Sequence, residues 1–312
     1  MAETIRVCVA VPTFRRPEPL ARVLAGIGLL AVPRGALVEA LVADNDAART
    51  AETVVATLAR NFPFPLAYTV VGRRGLAQVR NAILEYALAR YDFLAMLDDD
   101  ESPTPGWLGE LLRMQTATCA DAVFGPVPSV LAPGAPEWLR RGRFLEPPRY
   151  PDGALLEDGY SGNCLLRLAL VRRLGVRFDA RLDRAGGEDL LFFRTLRRAG
   201  AAFRYAAGAA APEIVEDSRG TVRYVLAMNF RRGSHLALCD RVLTPTPRSL
   251  ALRALKGAAR IAEGCLAFLP GLVREGRAGA VQAMCSVARG LGTLAGLVGY
   301  HPRHYGGSER AA

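Results

Sequence analysis

Four consecutive acids, Asp98-Asp99-Asp100-Glu101, close the apolar run Phe93–Leu97. Like charges this close repel one another, so the cluster calls for a positive partner. Asp98 and Asp100 stand two apart, and on an extended strand end their carboxylates can point the same way. Two hard oxygen ligands beside an open cleft suit Mg2+ or Mn2+, which retains water and takes phosphate oxygens as further ligands. A divalent cation arriving with a nucleotide diphosphate is the partner this spacing predicts. The plainer reading is a solvated acidic loop at the positive end of a helix that has Pro105 in its first turn.

The elements that must position these acids alternate along the chain. Ile5–Phe14 reads as a buried strand, Glu18–Leu30 as a helix, and Ala36–Asp46 as a strand ending in acids. A third strand follows in FPLAYTVVGR, then a helix over Gly75–Tyr91 with Leu76, Val79, Ile83, Ala87 and Leu88 on one face. DFLAMLDDD is a fourth strand, PGWLGELLRMQT a helix, and ADAVFGPVPSVL a fifth strand. Continuously apolar strands alternating with helices predict an α/β fold, a doubly wound, mostly parallel sheet with helices on both faces. In such sheets ligands bind beyond the carboxyl ends of the strands. Three strands end there in Pro12-Thr13, Asp44-Asn45-Asp46 and Asp98-Asp99-Asp100. The chain after the first strand reads VPTFRRPEPL, without G-x-G-x-x-G, and no G-x-x-x-x-G-K-[ST] loop occurs. A nucleotide must therefore be held by other means.

With these segments in hand, the chain resembles a family 2 glycosyltransferase of GT-A fold. The resemblance rests on VAVPTFRRPEPL, LVADND, GLAQVRNAILEYA, MLDDDESPTPGWL, GYSGNCLLR and GGEDLLFFRTLRRAG, in the family order, over about two-thirds of the chain. It implies a nucleotide-sugar donor, probed first as a UDP-sugar, with Mg2+ or Mn2+ held by Asp98 and Asp100. It also implies an inverting displacement at the anomeric carbon. Pro12, Thr13 and Arg15 would line the nucleobase and ribose pocket. Asp44 would accept hydrogen bonds from the base or ribose, with Asp46 and Asp99 also on the donor side. Arg80 and Asn81 would face the donor, although helical spacing alone equally allows Arg80 to be a surface residue. Gly162, Asn163 and Trp107 would lie on the acceptor side. Glu188 and Asp189 follow two glycines at a helix start. They suit a helix cap, and they suit the base that an inverting transfer requires. The resemblance makes Asp189 the base and Glu188 its neighbour. A third metal ligand, if one exists, is Glu213 or His235. Cys164 reads as a buried thiol.

Rival chemistries fit less well. Asp98-x-Asp100-x-Ser102 matches a haloacid-dehalogenase phosphatase signature, but on the fourth strand, and the only lysine is Lys256. A nucleotidyltransferase needs a Gly-rich loop after strand one. An inactive donor-binding protein would not need the acids. The six scattered cysteines, with no C-x-x-C, predict buried free thiols in a cytosolic protein. The N-terminus lacks the pattern of a secretory signal.

Charge divides the chain. Residues 1–217 carry 26 basic and 26 acidic groups, whereas 218–312 carry 14 and 4, the whole net charge of +10. We therefore expect a catalytic domain over 1–240 and a helical, basic, amphipathic region over 241–312. In SLALRALKGAARIAEGCLAFL, Arg253, Lys256, Arg260 and Glu263 fall on one stripe, with Leu252, Leu255, Ala259 and Leu266 beside or opposite. The longest uncharged stretch of this region, Gly290–Pro302, has 13 residues, short of the roughly 18 that span a bilayer. Few aromatics and no nucleic-acid motif argue against nucleic acid. Peripheral contact with anionic lipid at the inner face of the cytoplasmic membrane is the expectation, with packing on the catalytic domain as the alternative. The acceptor would be a glycan or a lipid-linked glycan in polysaccharide or glycoconjugate biosynthesis.

Overall fold

The computed structural model describes residues 4–183 and 185–302. In chain order the elements are β1 (Ile5–Thr13), α1 (Pro17–Gly28), β2 (Ala36–Asp44), α2 (Glu52–Ala59), β3 (Leu66–Val70), α3 (Leu76–Leu88), β4 (Phe93–Met96) and α4 (Trp107–Thr118). There follow β5 (Ala122–Phe124), β6 (Ser129–Val130), α5 (Glu137–Gly142), β7 (Cys164–Arg167), α6 (Leu168–Leu174), α7 (Glu188–Arg198), β8 (Phe203–Tyr205) and β9 (Glu213–Ile214). Three long helices end the chain, α8 (Val222–Leu243), α9 (Pro247–Glu275) and α10 (Arg277–Leu297). Helix α4 starts at Trp107 with Gly106 as its cap, so Pro105 precedes the helix instead of entering its first turn.

Two compact units emerge. The first comprises residues 1–128, 147–183 and 191–213, the second 129–146, 184–190 and 214–312. The expected boundary after residue 240 falls inside α8.

The first unit is a seven-stranded sheet in the order β3-β2-β1-β4-β7-β5-β8. Strand β1 is fully buried from Val7 to Val11, as a strand covered on both faces must be. Alternation sends Val7, Val9 and Val11 into a core with Leu20, Leu24, Ile27, Trp107 and Leu111. Cys8 and Ala10 face the opposite core, with Val79, Ile83, Leu84, Phe192 and Phe193. The chain runs outward from β1 through β2 to β3 and then crosses to β4 on the other side of β1. The carboxyl ends of β1 and β4 therefore flank the point where the strand order reverses, and loops diverge there to leave a crevice.

One strand departs from the parallel pattern. Strand β7 lies between β4 and β5 and runs antiparallel to both, with Met96 opposite Cys164. That reversal carries the start of β7, preceded by Gly162 and Asn163, to the end of β4 where the acids begin.

In the second unit α10 packs against both α8 and α9. Trp138, Leu139, Phe144, Val225, Ala278, Val281 and Cys285 form its core. Among the described residues no helix is long and apolar enough to cross a membrane.

Candidate active site

The acidic cluster is balanced by arginines from the chain itself. The Arg16 Nη1 lies 2.5 Å from Asp99 Oδ1 and 3.1 Å from Asp100 Oδ2. The Arg80 Nη2 lies 3.5 Å from Asp98 Oδ1. The sequence reading assigned this balance to a cation and missed Arg16, which its neighbour Arg15 had overshadowed. Thr13 Oγ1 donates to Asp99 Oδ2 at 2.8 Å. Burial pushes the Asp99 carboxyl up to about 6, against the opposing pull of Arg16 and Thr13. The three aspartates thus separate by environment. Asp99 is tucked under β1, while the Asp98 side chain is 43% exposed and open to a ligand.

Glu101 is the buried floor of this turn. Its Oε2 accepts from the Asp98 backbone N–H at 3.1 Å. Burial first, then the Asp98 charge, raises its carboxyl well above the usual range. Glu101 and Glu213 face each other across an isolated antiparallel bridge. Glu213, a candidate third ligand, therefore stands beside the acidic turn. Asp98, Asp100 and Glu213 are hard oxygen donors of the kind that suits Mg2+ or Mn2+. Among the described residues no three His, Cys, Asp or Glu side chains converge as a metal cage on their own. Such a set would leave coordination positions to water and phosphate, as Mg2+ prefers. The donor chemistry fits the expected cation.

The second strand end is held by hydrogen bonds from within the fold. Asp44 is fully buried. Its Oδ1 accepts from the Asp46 N–H, and its Oδ2 accepts from the Ala51 N–H and the Tyr68 hydroxyl, each at 2.9 Å. Through these bonds Asp44 braces the β2–α2 loop. Asp46 is the member turned toward Arg15, whose Nε donates to Asp46 Oδ2 at 2.9 Å. That hydrogen bond holds the Asp46 carboxyl below the usual range. Arg15 takes a left-handed backbone conformation, φ 54°. Its guanidinium lies 5.0 Å from the Phe14 ring, and that of Arg74 lies 4.6 Å from it.

Asn45, missed in the sequence, ties the strand ends together. It accepts from the Gly75 N–H at 2.8 Å and donates to Arg73 O at 2.9 Å. Asp183 then accepts from the Ala77 N–H at 2.8 Å, inside the first turn of α3. Arg80 is carried on that helix. Its neighbour Asn81 is a clamp, donating to Phe178 O and accepting from the Phe178 N–H, both at 2.9 Å. Asn81 is thereby occupied within the fold.

Trp107 and Asn163, expected on the acceptor side, are both fully buried. Trp107 Nε1 donates to Asn163 Oδ1 at 2.7 Å, and Asn163 Nδ2 donates to Pro126 O and Ala209 O at 2.8 Å. They support the site from behind. Half-buried Pro12 lies within β1. Burial raises the Cys164 thiol far above its ordinary range, which leaves it inert. Of the cysteines expected to be buried, Cys119 and Cys265 are instead exposed, each on or just past a helix surface.

In the second unit, Glu188 and Asp189 open α7, where acids favour the positive helix end. Glu188 is buried, and the Leu190 N–H donates to Asp189 Oδ1 at 2.7 Å. The preceding Gly186 and Gly187 have φ of 77° and 86°, which side chains rarely adopt. His235 packs on this loop: a methyl group on Gly187 would lie 2.7 Å from its Cγ. Its Nε2 lies 3.0 Å from Ala185 O. His235 thus supports the loop, and burial lowers its basicity.

Residues 8–176 match the family described as Glycosyl transferase family 2. The chain is 36% identical over 232 residues to the succinoglycan biosynthesis protein ExoM of Rhizobium meliloti (strain 1021), covering 74% of each chain. Its fold is similar to that of the mannosyltransferase PcManGT from Pyrobaculum calidifontis in complex with GDP-Man and Mn2+. The TM-score is 0.62 at 19% identity, over 94% of this chain and 88% of the other. It is also similar to residues 1–349 of TarS from S. aureus in complex with UDP. There the TM-score is 0.54 at 16% identity, over 91% and 90% of the two chains. The GT-A sheet, the acid-tipped fourth strand and the match through most of the first unit lead to one conclusion: this chain belongs to glycosyltransferase family 2 and is a glycosyltransferase.

Proposed function

We propose that the enzyme moves a sugar, with inversion, from a nucleotide-sugar donor to a hydroxyl of a glycan or lipid-linked glycan during polysaccharide or glycoconjugate assembly. A UDP-sugar is the donor to test first, although the neighbouring folds include proteins in complex with UDP and with GDP-Man. The relative named for succinoglycan biosynthesis supports the polysaccharide setting. The observation that carries the reading is the open Asp98 carboxylate beside Arg80, at the crevice between β1 and β4.

The chain's own groups divide the work. Phe14, Arg15 and Asp46 offer a flat cationic surface and a carboxylate for base and ribose. Arg16 and Arg80 offer guanidiniums that can turn from the aspartates to diphosphate oxygens. Asp98 and Asp100 would hold Mg2+ or Mn2+, and a bound divalent ion would offset charge on the departing diphosphate. The acceptor oxygen attacks the anomeric carbon as its bond to the diphosphate oxygen breaks, and the hydroxyl proton passes to the Asp189 carboxylate. Glu188 backs Asp189 from the buried side of the same helix turn. Gly162 allows the backbone before β7 to approach the acids, and Trp107 and Asn163 brace it.

The test is donor hydrolysis and transfer, screened over nucleotide sugars with Mn2+ or Mg2+. Nucleotide release that needs the divalent ion supports the reading, and a protein that binds donors without turnover would instead be an inactive binder. We also read the protein as cytoplasmic and peripheral to the inner face of the membrane, on the strength of the charge gathered in residues 218–312.

A further inference from the structure

Helix α9 is built inside out. Its inward seam is Leu250, Gly257, Ile261, Gly264 and Gly271, and only the first two of these glycines are buried. A methyl group on Gly264 would lie 2.6 Å from Ala283 O, and one on Gly279 would lie 2.2 Å from Gly271 O. A methyl on Gly290 would lie 2.6 Å from Gly257 O. Backbone therefore meets backbone along the α9–α10 contact, and the small residues have taken the inside. Arg253 also belongs to this side, since its Nε donates to Asp240 of α8 at 2.6 Å. This corrects its placement on an outward basic stripe.

The large aliphatic residues are consequently outside. Leu252, Leu255, Ala259, Ala262, Leu266, Leu269 and Val273 follow one another at spacings of three and four, an unbroken stripe on the opposite face. Leu266 is 79% exposed and Val273 84%. The stripe is about 32 Å long at the helical rise of about 1.5 Å per residue. Scattered exposed leucines are ordinary, but a continuous stripe marks a surface that something covers. Along one edge stand the exposed Lys256, Arg260 and Arg274, with Glu263 as the single acid among them.

We infer that the outer face of α9 is a membrane-docking surface, with the helix lying in the plane of an anionic bilayer. This inference deepens the peripheral reading above and rests on it. Small residues at the helix contact with aliphatics turned outward is the packing used where the surroundings are apolar. Among the described residues no helix can span, so the apolar stripe enters the interface sideways while its cationic edge meets phosphate headgroups. The same edge counts against a second copy as the occupant. Two such helices laid face to face would bring three cations each, and one acid each, into a shared seam.

The test is flotation of the full-length protein with vesicles of phosphatidylcholine alone or with 30 mol % phosphatidylglycerol (about one anionic lipid in three, a strongly charged surface). Wild type should float with the anionic vesicles and release in high salt. Leu266→Glu/Leu269→Glu should lower the bound fraction at least about tenfold, because two aliphatic contacts are replaced by charge. Lys256→Glu/Arg260→Glu should do the same, while donor hydrolysis in solution and the melting temperature stay at wild-type values. Leu266→Trp should shift its fluorescence to the blue on adding anionic vesicles. If wild type ignores anionic vesicles at low salt, the peripheral reading falls and this inference with it. If wild type floats but the leucine variants float equally well, only the assignment to α9 is overturned. A lipid-free dimer in sedimentation velocity that Leu266→Glu dissociates would give the face to a second copy and overturn it too.

Discussion

A methyl group on Gly162 would lie 2.6 Å from Glu101 Oε1 and 3.0 Å from Asp98 Oδ2. The glycine is what lets the backbone before β7 close on the acidic turn. Glu101 is buried and holds the Asp98 N–H, so the added carbon can be relieved only by shifting the turn. Gly162→Ala should fold, with a modest loss in melting temperature. Transfer should fall about a hundredfold, since displacements near an ångström cost that much. Kinetics beside thermal unfolding checks this, and equal losses in both would make Gly162 merely structural.

Asp98→Asn and Asp100→Asn should each remove nearly all transfer, and the wild type should be silenced by EDTA and restored by Mn2+ or Mg2+. A radiolabelled-donor assay reads both. Full activity in EDTA would show that Arg16 and Arg80 suffice for the diphosphate without a cation.

Arg16→Met removes the guanidinium that touches Asp99 and Asp100. Without divalent ions it should destabilise the fold by about 1–3 kcal/mol, the usual cost of stranding partly buried charge partners. Added Mn2+ should raise the melting temperature of Arg16→Met more than that of wild type. A smaller response in the variant would mean that Arg16 and the cation do not share these carboxylates.

Asp189→Asn keeps the shape of the side chain and removes the proton acceptor. Donor affinity by calorimetry should stay within about threefold of wild type, while kcat should collapse, as expected when only a transition-state role is lost. Glu188→Gln should retain more activity than Asp189→Asn. The opposite order would move the base to Glu188.

Asn163 sits at φ 47° with both ends of its amide engaged. Asn163→Ala strands the Trp107 indole N–H and the Ala209 carbonyl in the interior, while Pro126 O keeps the Ala211 N–H. The cost should be about 3 kcal/mol or more by chemical denaturation, because each buried orphan costs about 1–3 kcal/mol. Trp107→Phe strands only the amide oxygen at the same place and should cost less in hydrogen bonding, with a cavity term in addition.

What the sequence alone determined was set by patterns that repeat over short distances. Continuous apolar strands such as Val7–Val11 can exist only in a covered sheet, and Val79, Ile83 and Ala87 can share a face only on a helix. From these the α/β class and the acid-bearing end of the fourth strand followed. That Asp98 and Asp100 stand together at one strand end was legible because spacing within four residues survives folding unchanged.

Tertiary structure decided the rest, because it depends on which distant backbone groups claim each polar side chain. Asp44 and Asp46 look equivalent in the chain, yet Tyr68 and Ala51 occupy the first and leave the second to Arg15. Nothing local distinguishes Arg15 from Arg16, but only Arg16 meets Asp99, 83 residues away. Trp107 and Asn163, 56 residues apart, give no local sign that they pair, and the fold buries them together. On α9 the composition announced basic and apolar residues. Close approach at Gly257, Gly264 and Gly271 decided that the glycines face inward and the leucines face out, because only a side chain without a Cβ lets two helix backbones touch.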